Sequence, residues 1–331
     1  MDTRTLGTSG LRVSRLSLGS WRTFERIPRG AGAAVLRTAR EAGITFLDDA
    51  RYDDETGTAP LATGWSEVVF GELFRLVGWP RDEVVVANKL WWEFWPSESA
   101  AAELDGSLTR MGFDTIDLAY SAPLPDGLSV EEAVAEVGGL IAAGKLRAWG
   151  TLNWPAASLT EAVAAARDQG VPPPCATQLP YNLLHRGAVE SPAMEAALGA
   201  GSVAVVASAV LAGGALTGKY AADVGPAADA ASDHEPDVPR GRLADRVDDP
   251  RLAPAFAAAR ELSRMAAAHG TTPAALALAF ALAHPTVASA LFGATSPAQV
   301  TANVAAVDLA ARLTPDAWSA LRATGAPGRG A

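Results

Sequence analysis

Lys89 closes the apolar run Val84, Val85, Val86 and Ala87, a pattern suited to a parallel strand covered on both faces. A lysine at the end of a buried strand is costly unless a carboxylate or a ligand pairs with it. Asp48 ends a second such run, ITFLD at 44–48, and the two residue types together have a definite use. The carboxylate keeps the ammonium charged, and the ammonium lowers the pKa of a neighbouring phenol so that it can give up its proton. Directly after Lys89 come Trp91, Trp92, Phe94 and Trp95, able to wall an apolar pocket. The same stretch also reads as a snorkelling lysine above ordinary core aromatics, so the elements around it must decide.

Those elements alternate. Alanine-rich helical stretches are predicted near 31–42, 65–77, 98–111, 129–143, 156–169 and 187–199. Between them lie strand-like runs: a first around Arg15 to Leu18, then ITFLD, VVVAN (84–88), TIDLAY (115–120), LRAWGT (146–151), CATQL (175–179), VAVVAS (203–208) and VASALFG (287–293). Eight strand-then-helix units predict an α/β fold, a (β/α)8 TIM barrel, with a doubly wound sheet as the alternative. A hairpin turning at Thr8-Ser9-Gly10 precedes the first strand, and Thr314-Pro315 marks the start of an extra C-terminal helix. One barrel domain over 1–331 is expected, with residues 221–250, rich in Ala, Asp, Pro and Gly, as a mobile loop or lid after strand seven.

In a barrel the chemistry gathers at the carboxyl ends of the strands. These ends are Gly19-Ser20-Trp21, Asp48-Asp49, Asn88-Lys89, Tyr120-Ser121, Asn153-Trp154, Gln178, Ser208 with Leu211 beyond it, and Gly293-Ala294-Thr295. Asn153 and Gln178 suit the grip of a planar amide such as a nicotinamide carboxamide. GATSPAQVTANV starts a helix at Ser296-Pro297, whose free N–H groups make an anion site. The combination suggests a dinucleotide across the barrel mouth, with Trp21, Trp91, Trp92 and Tyr120 lining the substrate pocket.

Composition narrows the classes. The chain has 331 residues, 49% of them hydrophobic, and a formal net charge of -10. There is no Lys/Arg block to neutralise phosphates, which argues against nucleic acid as a partner. Cys175 is the only cysteine and the four histidines are scattered, so neither a disulfide framework nor a structural zinc is expected. Residues 1–20 lack a signal-peptide pattern and no apolar run reaches membrane-span length, so the expected location is the cytoplasm, without membrane contact.

At the level of whole motifs the chain resembles the aldo-keto reductase family. RTLGTSGLRVSRLSLGSW, AREAGITFLDDA with SEVVFGELF, DEVVVANKL, SLTRMGFDTIDLAY, GLIAAGKLRAWGTLNW, QLPYNLLHR, LTGKY and GATSPAQVTAN follow in family order. The resemblance implies hydride transfer between a nicotinamide cofactor and a carbonyl or related C=X bond, by a tetrad of Asp, Tyr, Lys and His. Asp48 and Lys89 match. The family places its tyrosine five residues after the aspartate; here Tyr52 comes four after, and Asp53 holds the expected slot. A slip of one residue in the loop restores Tyr52 as the acid, with Tyr120 and a water on Lys89 as the other candidate donors. The histidine position falls on Ala122, and Ser208 stands where the family often stacks an aromatic ring on the nicotinamide. The family's usual cofactor is NADP, with NAD as the alternative; Lys219 and Arg242 are the cations available for a phosphate, Thr295 lies in the last loop, and Gln299 and Asn303 are placed for the adenine.

Three functions follow: an NAD(P)H-dependent oxidoreductase acting on an apolar or ring-containing small molecule, with Asp48, Tyr52 and Lys89 as its catalytic set; a dinucleotide-binding sensor or partner subunit with little turnover; or a barrel with non-redox chemistry such as isomerisation.

Overall fold

The structure, a computed structural model, describes residues 1–220, 243 and 249–325. Strands β1 (Thr3–Thr5) and β2 (Arg12–Ser14) form the antiparallel hairpin. Eight further strands follow: β3 (Leu16–Gly19), β4 (Phe46–Asp48), β5 (Val85–Leu90), β6 (Ile116–Ser121), β7 (Leu146–Leu152), β8 (Ala176–Pro180), β9 (Ala204–Ser208) and β10 (Val287–Gly293). They close into one parallel barrel in the order β10-β3-β4-β5-β6-β7-β8-β9. The pairing of β10 with β3, from Ala290↔Leu16 to Gly293↔Gly19, is what closes it, so the doubly wound alternative falls.

Period-two alternation divides each strand between two cores. Phe46, Val85, Ala87, Leu118, Tyr120, Ala148, Ala176 and Val206 share the cluster inside the barrel. Their neighbours Leu47, Val86, Ala119, Trp149, Val205 and Ala207 pack outward against the helices. Gly150 is needed at the inner wall: a Cβ there would lie 2.3 Å from the Ala176 carbonyl oxygen and 3.1 Å from the Tyr120 ring. The hairpin plugs the floor with Leu6, Leu11 and Val13, all buried in the inner cluster.

The helical layer comprises α1 (Arg29–Glu41), α2 (Trp65–Val77), α3 (Ala100–Met111), α4 (Val130–Ala142), α5 (Ala156–Gln169), α6 (Gly187–Glu190), α7 (Pro192–Gly201), α8 (Ala253–His269), α9 (Pro273–Leu282), α10 (Pro297–Arg312) and α11 (Pro315–Thr324). The ends follow local chemistry. Ser129 and Glu132 form a reciprocal capping box on α4, and Ser296 and Thr314 cap α10 and α11 with proline in the first turn. The helix expected at 187–199 divides in two, because Ser191 and Pro192 start a new helix at α7. Helices α8 and α9 fall where no helix is predicted; α9 is apolar on every face and buried from Ala275 to Leu282, so it lacks the stripe that marks a surface helix. Of the expected lid, residues 221–242 and 244–248 lie outside the described residues. Among the described residues no single helix is long and apolar enough to cross a membrane.

Candidate active site

Strands β4 and β5 are neighbours, with Asp48 opposite Ala87 in register, so two residues further along β5 the side chain of Lys89 leans over the end of β4. Its ammonium forms an ion pair with Asp48 Oδ1, each side chain only 2% exposed, and donates to the Asp49 carbonyl oxygen at 3.1 Å. Gln178 on β8 donates its Nε2 to the second oxygen, Asp48 Oδ2, at 3.0 Å. Removing one partner of such a buried pair strands the other charge, at about 3–5 kcal/mol.

A second polar chain backs the first. Asn88 accepts the Lys89 backbone N–H at 2.6 Å and donates to Glu67 Oε1 at 2.8 Å. Glu67, fully buried on α2, also pairs with Arg110. Asp49 faces this side of the strand, takes the Ser20 hydroxyl on Oδ1 and leaves Oδ2 without a hydrogen-bond partner. Burial, then the charge of Glu67, holds its carboxyl well above the ordinary carboxylate value.

Tyr52, not Asp53, meets the lysine. The Lys89 ammonium lies 5.8 Å from the centre of the Tyr52 ring and 5.9 Å from that of Tyr120. Asp53 is exposed and pairs in an isolated bridge with Thr63, where Gly64 N–H bonds back to the Tyr52 carbonyl at 2.9 Å. Burial first, then the carboxylates Asp48, Asp49, Glu25 and Glu67, raise the Tyr52 phenol well above its ordinary value, so it is protonated at neutral pH. The rings of Trp21 and Trp91 stand 6.2 and 6.1 Å from the Tyr52 ring, centroid to centroid.

The other expected site residues divide into those at the mouth and those elsewhere. Gly19 and Ser20 end β3, and Trp21 is 45% exposed beside Tyr52. Asn153 is exposed in a left-handed conformation at φ 56°, its backbone N–H on the Gln178 carbonyl. Ser208 and Leu211 are half-buried at and beyond the end of β9. Lys219 packs across Gly214, one of three glycines of that loop, with Gly213 and Gly218, at positive φ. Gly293 ends β10, Gln299 Oε1 accepts the Thr295 backbone N–H at 2.9 Å, and Asn303 is buried one turn on. Arg242 lies outside the described residues. Tyr120 sits inside the barrel with its hydroxyl near Gln178, short of a formed hydrogen bond.

Trp92 goes elsewhere than expected. Its left-handed backbone, φ 61°, turns the ring outward into the helical core, where its indole N–H bonds Ser121 Oγ at 2.8 Å and its ring meets Trp95. Ala122 is buried in the inner cluster beside Tyr120. Cys175 lies in that cluster too, and burial pushes its thiol up to about 12, away from nucleophilic use.

Sequence reasoning did not single out Arg51, Glu67, Asp49 or Glu103. Glu103 on α3 accepts the backbone N–H groups of Trp91 and Trp92 at 2.8 and 3.2 Å and pairs with Arg51, the residue before Tyr52. A readable signal existed: Glu103 falls on the buried stripe Ala100, Leu104, Ser107, Met111, and Glu67 on the stripe with Phe70, Gly71 and Phe74. An acid on an apolar stripe needs a partner.

A model of the aldo/keto reductase family matches residues 15–326. The chain is 34% identical over 329 residues to a protein of Oryza sativa subsp. japonica named "Probable voltage-gated potassium channel subunit beta", covering 96% of this chain and 94% of that one. It is 30% identical over 324 residues to a protein of the same name from Arabidopsis thaliana, at 95% and 94% coverage.

Proposed function

The chain belongs to the aldo/keto reductase family, and from that premise we propose that it is an NAD(P)H-dependent reductase of a carbonyl or related C=X bond in an apolar or ring-containing small molecule. The observation that carries the reading is the buried Asp48–Lys89 pair with the Tyr52 ring over it, at the carboxyl end of a closed barrel.

The residues present fit a dinucleotide. Gln178 gives one of its two N–H groups to Asp48, which leaves its oxygen and second N–H for a carboxamide, and Asn153 beside it likewise offers donor and acceptor. The left-handed loop at Gly213-Gly214 with Lys219, and the start of α10, suit phosphates. NADP is favoured over NAD on family grounds alone. Bound there, the reduced nicotinamide supplies the hydride. The chain does the rest: Tyr52 gives its proton to the substrate oxygen, Lys89 stabilises the phenolate left behind, Asp48 keeps Lys89 charged, and Gln178 fixes Asp48. Trp21 and Trp91 flank the reacting group.

Addition of NADPH is expected to quench protein fluorescence and to give turnover on a carbonyl panel. No binding of either dinucleotide sinks the reading.

A second reading is a dinucleotide-binding subunit with little turnover. Ala122 in the histidine position favours it, as do the relatives named as probable potassium channel beta subunits. It expects binding without turnover across carbonyls and imines; clear activity that vanishes in Lys89→Met refutes it.

A further inference from the structure

Three buried indole groups of this protein have acceptors. Trp92 Nε1 donates to Ser121 Oγ, Trp149 Nε1 to the Pro172 carbonyl and Trp154 Nε1 to the Ala122 carbonyl. The Trp91 indole nitrogen is buried and has no hydrogen-bond partner. A buried N–H without an acceptor is disfavoured in folded proteins and asks for a reason, a missing ligand among them.

Its surroundings supply the reason. Trp91 is half-buried and packs on the inner cluster that contains both Tyr120 and Ala122. Its ring stands edge-on to Tyr52 at 6.1 Å between centroids. Its backbone is fixed, because its N–H is held by Glu103, which is itself paired with Arg51. An unspent donor therefore sits on a ring beside that of Tyr52, packed against the cluster where the chain carries alanine in place of an imidazole.

We propose that the Trp91 indole N–H is the second hydrogen-bond donor to the substrate's carbonyl oxygen, in the role left open at Ala122. The proposal rests on the reductase reading. As hydride reaches the carbonyl carbon, the C=O π electrons pass to oxygen and the Tyr52 proton joins them to give the alcohol. Indole N–H is a donor only and keeps its proton; it stabilises the charge developing on oxygen.

The test uses Trp91→Phe, which keeps an aromatic ring and deletes the donor. The wild-type protein, labelled at its nine tryptophan indole nitrogens, shows one resonance that the variant lacks, which assigns Trp91. Titration with 4-nitrobenzaldehyde, alone and with NADP, where no reduction can occur, is expected to move that resonance downfield. With NADPH, Trp91→Phe is expected to lose about 100-fold in kcat, with KM for the aldehyde within about threefold and NADPH binding unchanged. Adding Ala122→His to Trp91→Phe is expected to recover about tenfold or more. A resonance that stays still, or a variant whose kcat is within about threefold of wild type, overturns the assignment. Absence of NADPH binding in the wild type sinks the reductase reading separately, and the titration with aldehyde alone then still decides whether Trp91 donates.

Discussion

Lys89 and Asp49 show how two adjacent strand ends can hold ionisable groups of opposite consequence. Lys89 is paired, so its loss strands Asp48. Lys89→Met is expected to cost about 3–5 kcal/mol in urea unfolding and to abolish turnover. Adding Asp48→Asn should recover much of that stability and none of the activity, which separates a structural role from a chemical one. Asp49 is a carboxyl whose pKa is raised by burial and by Glu67. Between its unfolded and its folded pKa the native state binds the extra proton, so stability falls as pH rises through that window. Asp49→Asn keeps an acceptor for Ser20 and removes the titration. The variant is expected to be more stable than wild type at neutral pH, with the gain shrinking as pH falls toward the ordinary carboxylate value; a pH series of melting temperatures measures it. An advantage that grows toward acid would contradict the assignment.

The loops after β4 and β5 act as one unit. Arg51 reaches Glu93, Glu98 and Glu103, and Glu103 holds two consecutive backbone N–H groups of the Trp91 loop. Glu103→Gln leaves Arg51, only 5% exposed, without its most buried partner. The expected loss is smaller than for Lys89→Met, because Glu93 and Glu98 still pair with Arg51, with a fall in kcat and a change in near-ultraviolet circular dichroism from Trp91 and Trp92. An unchanged aromatic spectrum would mean that the loops hold their shape without the pair. On the other flank of the Tyr52 loop, Glu55 pairs with Arg22 and Arg26 after β3. These pairs are more exposed and correspondingly weaker, so the Arg51 side is the stiffer.

For the whole molecule the decisive fact is closure. Leu6, fully buried, and Leu11 seal the floor, and the Asp48–Lys89 pair lies at the opposite mouth. Leu6→Ala is expected to cost about 2–5 kcal/mol by chemical denaturation and to leave NADPH binding unchanged, because floor and mouth are separate ends of one barrel. Weakened NADPH binding would show that the two ends are coupled. The sequence by itself determined the eight barrel strands and most of the helices between them, the hairpin, the capped starts of α10 and α11, and the residues Asp48 and Lys89. Those features are local: periodicity, caps and strand-end polarity are written in neighbouring residues. Tertiary structure alone decided that Tyr52 rather than Asp53 meets Lys89, that Trp91 turns toward the barrel and Trp92 away from it, and that Gln178 holds Asp48 from 130 residues away. Each depends on which strands become neighbours when the barrel closes and on how a loop is pinned at its far end. No short window of sequence contains that information.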